Sequence, residues 1–304
     1  MKVLVTGGAG FIGSHITDTL IDKGHEVVIV DNLSTGKKSN INRKAMFYNC
    51  DIRDSKKLGA ALAKEKVDVI SHHAAQIDVR KSVADPVYDA NINIIGTLNL
   101  LENAVKTKVK KVIFASSGGT IYGECGKNPP AETAKGQPLS PYGITKYSVE
   151  FYLNYYCAIH GLKFTALRYG NVYGPRQDPH GEAGVVAIFA GRMLADEDLS
   201  IFGDGKQMRD YVYVKDVAKA NVLALTKGHN EIINIGTQQA VSVNTLFRRM
   251  ANICEYEKNP VYKPARPGEL FRSFLKNQKA RKILNWSPSL SFEEGLKQTI
   301  DYFK

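Results

Sequence analysis

A short apolar run at residues 3–6 leads into Gly7-Gly-Ala-Gly10-Phe-Ile-Gly13, and apolar residues then recur at helical spacing at Phe11, Ile12, Ile16 and Leu20. Strand, glycine turn and helix in that order leave few folds open. The glycines permit a tight turn, a close backbone approach to a pyrophosphate and close packing of helix on strand. The N–H groups and the positive end of the helix dipole then face the phosphates. Gly7, Gly10, Phe11, Ile12 and Gly13 are therefore candidate contacts to a dinucleotide.

A second apolar strand, Val27-Val-Ile-Val30, ends in Asp31. A carboxylate at that point accepts hydrogen bonds from adenosine ribose hydroxyls and repels a 2′-phosphate, which favours NAD over NADP. Strand-like runs recur at 67–71, 112–116, 164–168 and 232–235, with helical patterns between them at 89–106 and 142–160. The alternation predicts an α/β chain, a Rossmann-type doubly wound parallel sheet with its ligand site at the carboxyl ends of the strands. From about residue 171 the pattern loosens into Gly- and Pro-rich turns at 174–179 and 264–268.

Tyr142-Gly-Ile-Thr-Lys146 puts a phenol and an ammonium on one face of a helix, one turn apart. A tyrosine, with an ordinary pKa of about 10, is a poor base at neutral pH. A cation held beside it favours the phenolate. The same spacing also describes a solvated pair on a helix surface; the glycine turn at the start of the chain weights it toward chemistry.

With both motifs in hand the chain resembles the extended short-chain dehydrogenase/reductase superfamily. Within it the chain is most similar to the nucleotide-sugar epimerases of the UDP-glucose (UDP-galactose) 4-epimerase type. The likeness runs along nearly the whole chain. It takes in Asp31-Asn-Leu-Ser-Thr-Gly36, Asp51-Ile-Arg-Asp54, His73-Ala-Ala75, Asn93-Ile-Ile-Gly-Thr97 and Ser116-Ser-Gly-Gly-Thr-Ile-Tyr-Gly123. Further on it includes Leu167-Arg-Tyr-Gly-Asn171, Val172-Tyr-Gly-Pro-Arg176, Arg209-Asp-Tyr-Val212 and Arg266-Pro-Gly-Glu269.

The resemblance implies NAD as cofactor and a UDP-sugar as substrate. Tyr142 is then the base that takes the proton of the sugar 4-hydroxyl, and Lys146 holds the nicotinamide ribose and lowers the phenol's pKa. Asn32, Ser34 and Gly36 accompany Asp31 at the adenosine end, Asp51 and Ile52 border the adenine, and Ala74, Ala75 and Asn93 flank the ribose and nicotinamide channel, which Tyr169 closes. Asn171, Arg209 and Arg266 are the expected diphosphate and sugar contacts, the planar arginine fork suiting phosphate. Glu269 accepts from the nucleotide ribose, and Val186, Ile201 and Phe202 wall the base.

Two positions depart from the commonest pattern. The third catalytic group, usually Ser or Thr, falls on Gly118, with Ser116 and Ser117 just before it. Ser117 is the expected substitute; Ser116 or a water is the alternative, and both serines could simply satisfy backbone groups. Where strict glucose/galactose enzymes often carry a bulky Tyr, this chain has Ser273, which leaves room for a 2-acetamido group unless Phe271 or Phe274 fills it. Related 4,6-dehydratases place an Asp-Glu pair where this chain has Gly119 and Thr120, neither of which shuttles protons at neutral pH. Dehydration is therefore disfavoured, and Glu124 and Glu132 are expected on a surface loop.

The expected division is a cofactor domain at 1–170 plus about 209–236, and a smaller C-terminal α/β substrate domain at 171–208 and 237–304. The resemblance also implies a homodimer through two helices per subunit, 89–106 and 142–160. The net charge of +11 comes from scattered basic pairs without a tract or an aromatic platform, so nucleic acid is not an expected partner. Cys50, Cys125, Cys157 and Cys254 fit no metal pattern and suit a reducing cytoplasm. No charged-then-apolar leader and no apolar stretch near 18 residues is present, so neither secretion nor membrane spanning is expected. Competing readings are an epimerase of another nucleotide sugar such as UDP-glucuronate, a decarboxylase or reductase of the same fold, and a non-catalytic NAD-binding regulator, a class that commonly loses the Tyr or Lys kept here.

Overall fold

A computed structural model describes residues 1–179, 184–266 and 269–304. Seven strands form the main sheet: β1 (Lys2–Thr6), β2 (Glu26–Asp31), β3 (Met46–Asn49), β4 (Val69–His72), β5 (Lys111–Ser117), β6 (Lys163–Tyr169) and β7 (Glu231–Ile235). Their spatial order is β3-β2-β1-β4-β5-β6-β7, and every pairing is parallel. This is the Rossmann-type sheet expected from the sequence. The strands are rich in Val and Ile because both faces of a parallel sheet are covered by helices.

One face packs under the helices Phe11–Asp22 and Val214–Ala224, through Ile16, Leu20, Val217 and Ala224 against Val3, Val5 and Ile29. The other packs under Ser55–Glu65, Gly96–Lys106 and Pro141–His160, through Leu58, Leu62, Leu100, Val149 and Leu153 against Leu4, Val28 and Ile70. The order in which successive strands are added reverses between β1 and β4, the switch point at which a ligand crevice opens.

A separate core joins Tyr173, Val186, Phe189, Ile201, Tyr211, Leu246, Met250, Leu296 and Ile300. Short strand pairs line it: Tyr211–Tyr213 beside Asn171–Tyr173, Ser200–Phe202 beside Val261–Lys263, and Met208–Arg209 between Val241–Ser242 and Arg272–Ser273. The chain returns once more to the first core, where Ala280, Leu284 and Trp286 pack and the Trp286 indole N–H donates to the Asp216 carbonyl at 2.8 Å. Residues 280–286 thus pack with the first unit, not with the second as the division at 237–304 expects.

Two differences from the expected elements bear on the site. The edge strand β3 is not among the expected elements: its apolar run, Met46-Phe-Tyr48, is only three residues long and partly exposed. The helix expected from residue 89 starts at Pro86, capped by the Asp85 side chain, and contains a π-turn at Asn91–Ile95 before continuing as Gly96–Lys106. A π-turn re-aims the side chains on it and recurs at functional sites.

Candidate active site

The turn after β1 is shaped by contacts that only glycine tolerates. Gly7 has φ +68, and a Cβ there would lie 2.7 Å from the Ala74 amide nitrogen; one on Gly13 would lie 2.2 Å from the Gly7 carbonyl oxygen. The loops after β1 and β4 therefore meet backbone to backbone. Gly10 heads the helix Phe11–Asp22 with no side-chain cap, leaving the first-turn N–H groups of Phe11 and Ile12 for an anion. At the end of β2 the buried Asp31 carboxylate accepts from the amides of Ala9, at 3.0 Å, and Leu33, at 2.8 Å. Gly36 packs against that carboxylate, and the Asn32 amide donates to Asp51 at 2.8 Å while its oxygen accepts from Ser34 N–H at 3.0 Å. Asp51 is gripped by Arg53, which holds its carboxyl well below the usual carboxylate range. Ile52 is buried under Gly96. Uncapped amides, a glycine cradle and a buried carboxylate at the strand end fit a dinucleotide such as NAD.

The helix Pro141–His160 is fixed at both ends: the Ser140 hydroxyl accepts from Gly143 N–H, Pro141 occupies the first position, and Gly161 closes it with φ +68. Its first turn sits against the segment after β5, since a Cβ on Gly143 would lie 2.9 Å from the Thr120 carbonyl. Tyr142 and Lys146 thus share one face, with the Lys146 ammonium 5.8 Å from the Tyr142 ring centroid and 4.8 Å from that of Phe114. Lys146 donates to the Ala115 carbonyl at 2.9 Å. Burial lowers its pKa to about 8, and the negative charge of Asp89 pulls the other way.

In this chain alone the phenol is not lowered as the sequence suggested. Burial first, and Asp89 second, push Tyr142 upward, and a hydrogen bond with Ser117 offsets part of that. The Lys146 ammonium, bound to the Ala115 carbonyl, does not offset that burial.

The two serines part company. Adjacent strand residues face opposite ways. Ser116 is buried and donates to Glu150 at 2.6 Å, inside a network in which Arg168 forks onto the same carboxylate and also donates to Tyr122 Oη. Ser117 instead accepts from the Thr120 hydroxyl at 2.9 Å, which leaves its own proton for the Tyr142 oxygen to which it is hydrogen-bonded. A point 3.8 Å from Asn171 Oδ1 and 3.9 Å from both Ser117 Oγ and Ser273 Oγ is where a Cβ on Gly119 would stand. Asn171, Ser117 and Ser273 therefore converge around one small space. Phe274 packs with Tyr122, Cys125 and Leu275, and Phe271 is 51% exposed, so Ser273 is the one that reaches Gly119.

Other expected residues lie elsewhere. Val186 and Ile201 are core residues of the second unit, fully enclosed by Phe189, Leu246 and Met250, and do not form an open wall. Phe202 is partly open, with the Arg266 guanidinium stacked 3.8 Å from its ring centroid. Arg209 pairs with Glu269 at 3.2 Å; Pro267 and Gly268 of the same motif lie outside the described residues. Tyr169 stacks on His73 at 6.3 Å and accepts from the Asn221 amide at 2.8 Å, buried beside the channel. Glu124 and Glu132 are not idle loop residues: Glu124 accepts from the amides of Phe271 and Arg272, and Glu132 from that of Asn234.

Asp89, not among the expected site residues, is fully buried and bonded to Gln76, Asn93 and Thr145. Its signal was the Asp89/Asn93 pair at helical spacing, with Thr145 lying between the phenol and the ammonium.

A model of the NAD dependent epimerase/dehydratase family matches residues 3–236. The UDP-glucose 4-epimerase of Mycolicibacterium smegmatis is 43% identical over 310 residues, covering 100% of this chain and 99% of that one. Among solved structures, the UDP-glucose 4-epimerase of Thermotoga maritima with UDP-glucose superposes with a TM-score of 0.98 at 54% identity, covering 100% of this chain and 98% of that one. The Thermus thermophilus UDP-glucose 4-epimerase in complex with NAD gives a TM-score of 0.95 at 45% identity, covering 100% and 99%. The glycine cradle, the Tyr142/Lys146 helix and these full-length matches agree, and the chain belongs to the NAD dependent epimerase/dehydratase family.

Proposed function

We propose that this protein interconverts UDP-glucose and UDP-galactose at C4. The observation that carries the reading is the convergence of Tyr142, Lys146 and the Ser117 hydroxyl, itself hydrogen-bonded to Tyr142, at the strand ends, beside a nucleotide cradle, in a chain whose relatives bear that activity. NAD, when bound, supplies the acceptor for the C4 hydrogen and a positive charge. Tyr142 takes the proton of the sugar 4-hydroxyl and returns it, Ser117 donates to the 4-oxygen, and Lys146 holds the ribose and helps stabilise the phenolate. Cofactor contacts fall on 1–170 and about 209–236, and sugar-nucleotide contacts on 171–208 and 237–304. Arg209 and Arg266 bind the diphosphate, Arg209 exchanging Glu269 for phosphate, and Asn171 and Ser273 line the hexose.

Support for a homodimer comes from one exposed stripe, Ile144, Phe151, Tyr155 and Ile159, beside Val87 and Ile95 on the neighbouring helix. Scattered single apolar residues need no partner, but a stripe at helical spacing does. Phe151→Glu is expected to convert a dimer into a monomer in sedimentation. Among the described residues no helix is long and apolar enough to cross a membrane, and the free cysteines suit the cytoplasm.

The test is incubation with UDP-glucose, UDP-GlcNAc and UDP-glucuronate and chromatographic identification of the 4-epimers. UDP-galactose from UDP-glucose, lost in Tyr142→Phe, supports the reading. No epimer from any of the three, or full activity in Tyr142→Phe, overturns it.

A further inference from the structure

Asp89 has a fully buried carboxylate whose donors are all neutral: Gln76 Nε2 at 2.8 Å and Asn93 Nδ2 at 3.0 Å to Oδ1, and the Thr145 hydroxyl at 2.9 Å to Oδ2. Three elements supply them, namely the loop after β4, the π-turn Asn91–Ile95 and the helix Pro141–His160. Asn93 is itself locked, accepting from Gln76 N–H at 2.9 Å and donating to the Gln76 carbonyl at 3.0 Å. Burying a carboxylate is costly unless hydrogen bonds and an opposite charge answer it. The answering charge stands on the same helix as Thr145, next along the chain: Lys146. Tyr142 lies one turn back, and its carbonyl accepts from the Thr145 hydroxyl at 3.0 Å.

We infer that Asp89 is a positioning residue of the reaction, a buried counter-charge that keeps the Lys146 ammonium charged and, through Thr145, fixes the turn carrying Tyr142 and Lys146. The charge of Asp89 acts on both groups in the same sense, raising the phenol and holding up the ammonium. The other groups facing this site from neighbouring elements leave that role open. His72 and His73 at the end of β4 are driven neutral by burial. On the helix Val79–Ala84, Lys81 lies 4.3 Å from the Tyr88 ring and Arg80 is exposed. Glu150, one turn past Lys146, is bound to Arg168 of β6, and Tyr122 and Tyr169 are hydrogen-bonded to Asn234 and Asn221.

Asp89→Asn tests this on the intact enzyme, because the amide can satisfy the same partners. Its oxygen keeps Gln76 and Asn93, and its nitrogen donates to Thr145, whose proton turns to the Tyr142 carbonyl. Removing the negative charge eases phenolate formation and weakens the ammonium. Both limbs of the pH dependence of kcat on UDP-glucose are expected to move to lower pH by roughly one pH unit. The phenolate absorbance that is lost in Tyr142→Phe should titrate lower in step. The turnover arm rests on the proposed epimerisation, whereas the phenolate titration is read on resting protein, so failure of either is distinguishable. Limbs and titration unmoved in folded Asp89→Asn overturn the inference. If that variant does not fold, Thr145→Val decides: stripping a donor from the carboxylate leaves its charge less screened and should move both limbs upward, and unmoved limbs overturn the inference equally.

Discussion

Leu275 fills the space that a side chain at position 118 would need. A Cβ on Gly118 would lie 2.5 Å from Leu275 Cδ1 and 2.6 Å from Cδ2, and Leu275 is itself fully buried against Tyr122, Cys125 and Phe274. The hydroxyl expected at 118 is thus excluded by packing, and the neighbouring Ser117 is the one hydrogen-bonded to Tyr142.

The pair predicts a coupled mutational response. Gly118→Ser should destabilise the fold by about 1–3 kcal/mol through overpacking. Leu275→Ala leaves a cavity and should cost about 2–5 kcal/mol alone. Together they should cost less than the sum by at least about 1 kcal/mol, read by denaturant unfolding. Strict additivity would show that the two do not share the space.

Ser117 and Ser116 should separate activity from stability. Ser117→Ala removes a donor from the site and should lower kcat by about 10²–10³ with the unfolding midpoint unchanged. Ser116→Ala leaves Glu150 short of a partner inside a buried ion pair and should cost about 1–3 kcal/mol of stability with kcat little changed. The opposite pattern would assign the catalytic hydroxyl to Ser116.

Ser273 governs which hexose fits. With Ser273 Oγ and Ser117 Oγ each 3.9 Å from the open point above Gly119, a bulky ring at 273 would occupy that space. The parent protein is expected to turn over both UDP-glucose and UDP-GlcNAc. Ser273→Tyr should lower the ratio of kcat/KM for UDP-GlcNAc over UDP-glucose about tenfold or more, roughly 1.4 kcal/mol. An unchanged ratio would move the specificity elsewhere.

The sheet was legible because its long strands are predominantly apolar runs bounded by glycine or polar turns, and β1 with its turn is local information. β3 is harder to read because its apolar run, Met46-Phe-Tyr48, is short and lies on a partly exposed edge. At the site, the Tyr142/Lys146 pair and Asp31 were readable because their geometry follows from one helix and one strand end. The Gly118–Leu275 exclusion, and the burial of Val186 and Ile201, depend on contacts between distant segments that no spacing encodes. Asp89 lies between: its helical pairing with Asn93 was visible, but not the third element that closes the network.

Lys111 gives a prediction at the opposite end of the sheet. It is 2% exposed and donates to the carbonyls of Ala224, at 2.5 Å, and Lys227, at 2.6 Å, past the end of the helix Val214–Ala224. Burial, with a smaller push from Lys163, lowers its pKa from 10.5 to about 7. Between those two values the unfolded chain holds a proton that the folded chain has lost, so the penalty of burying the ammonium fades as pH rises from 7 toward 10.5. Below that window both states are charged and the penalty is constant. Lys111→Met removes the titrating group, so the stability of the parent relative to the variant should rise by up to about 1.4 kcal/mol for each pH unit across the window. Urea unfolding of both proteins at several pH values within that window reads this directly, and a difference that stays flat would show that Lys111 does not titrate there.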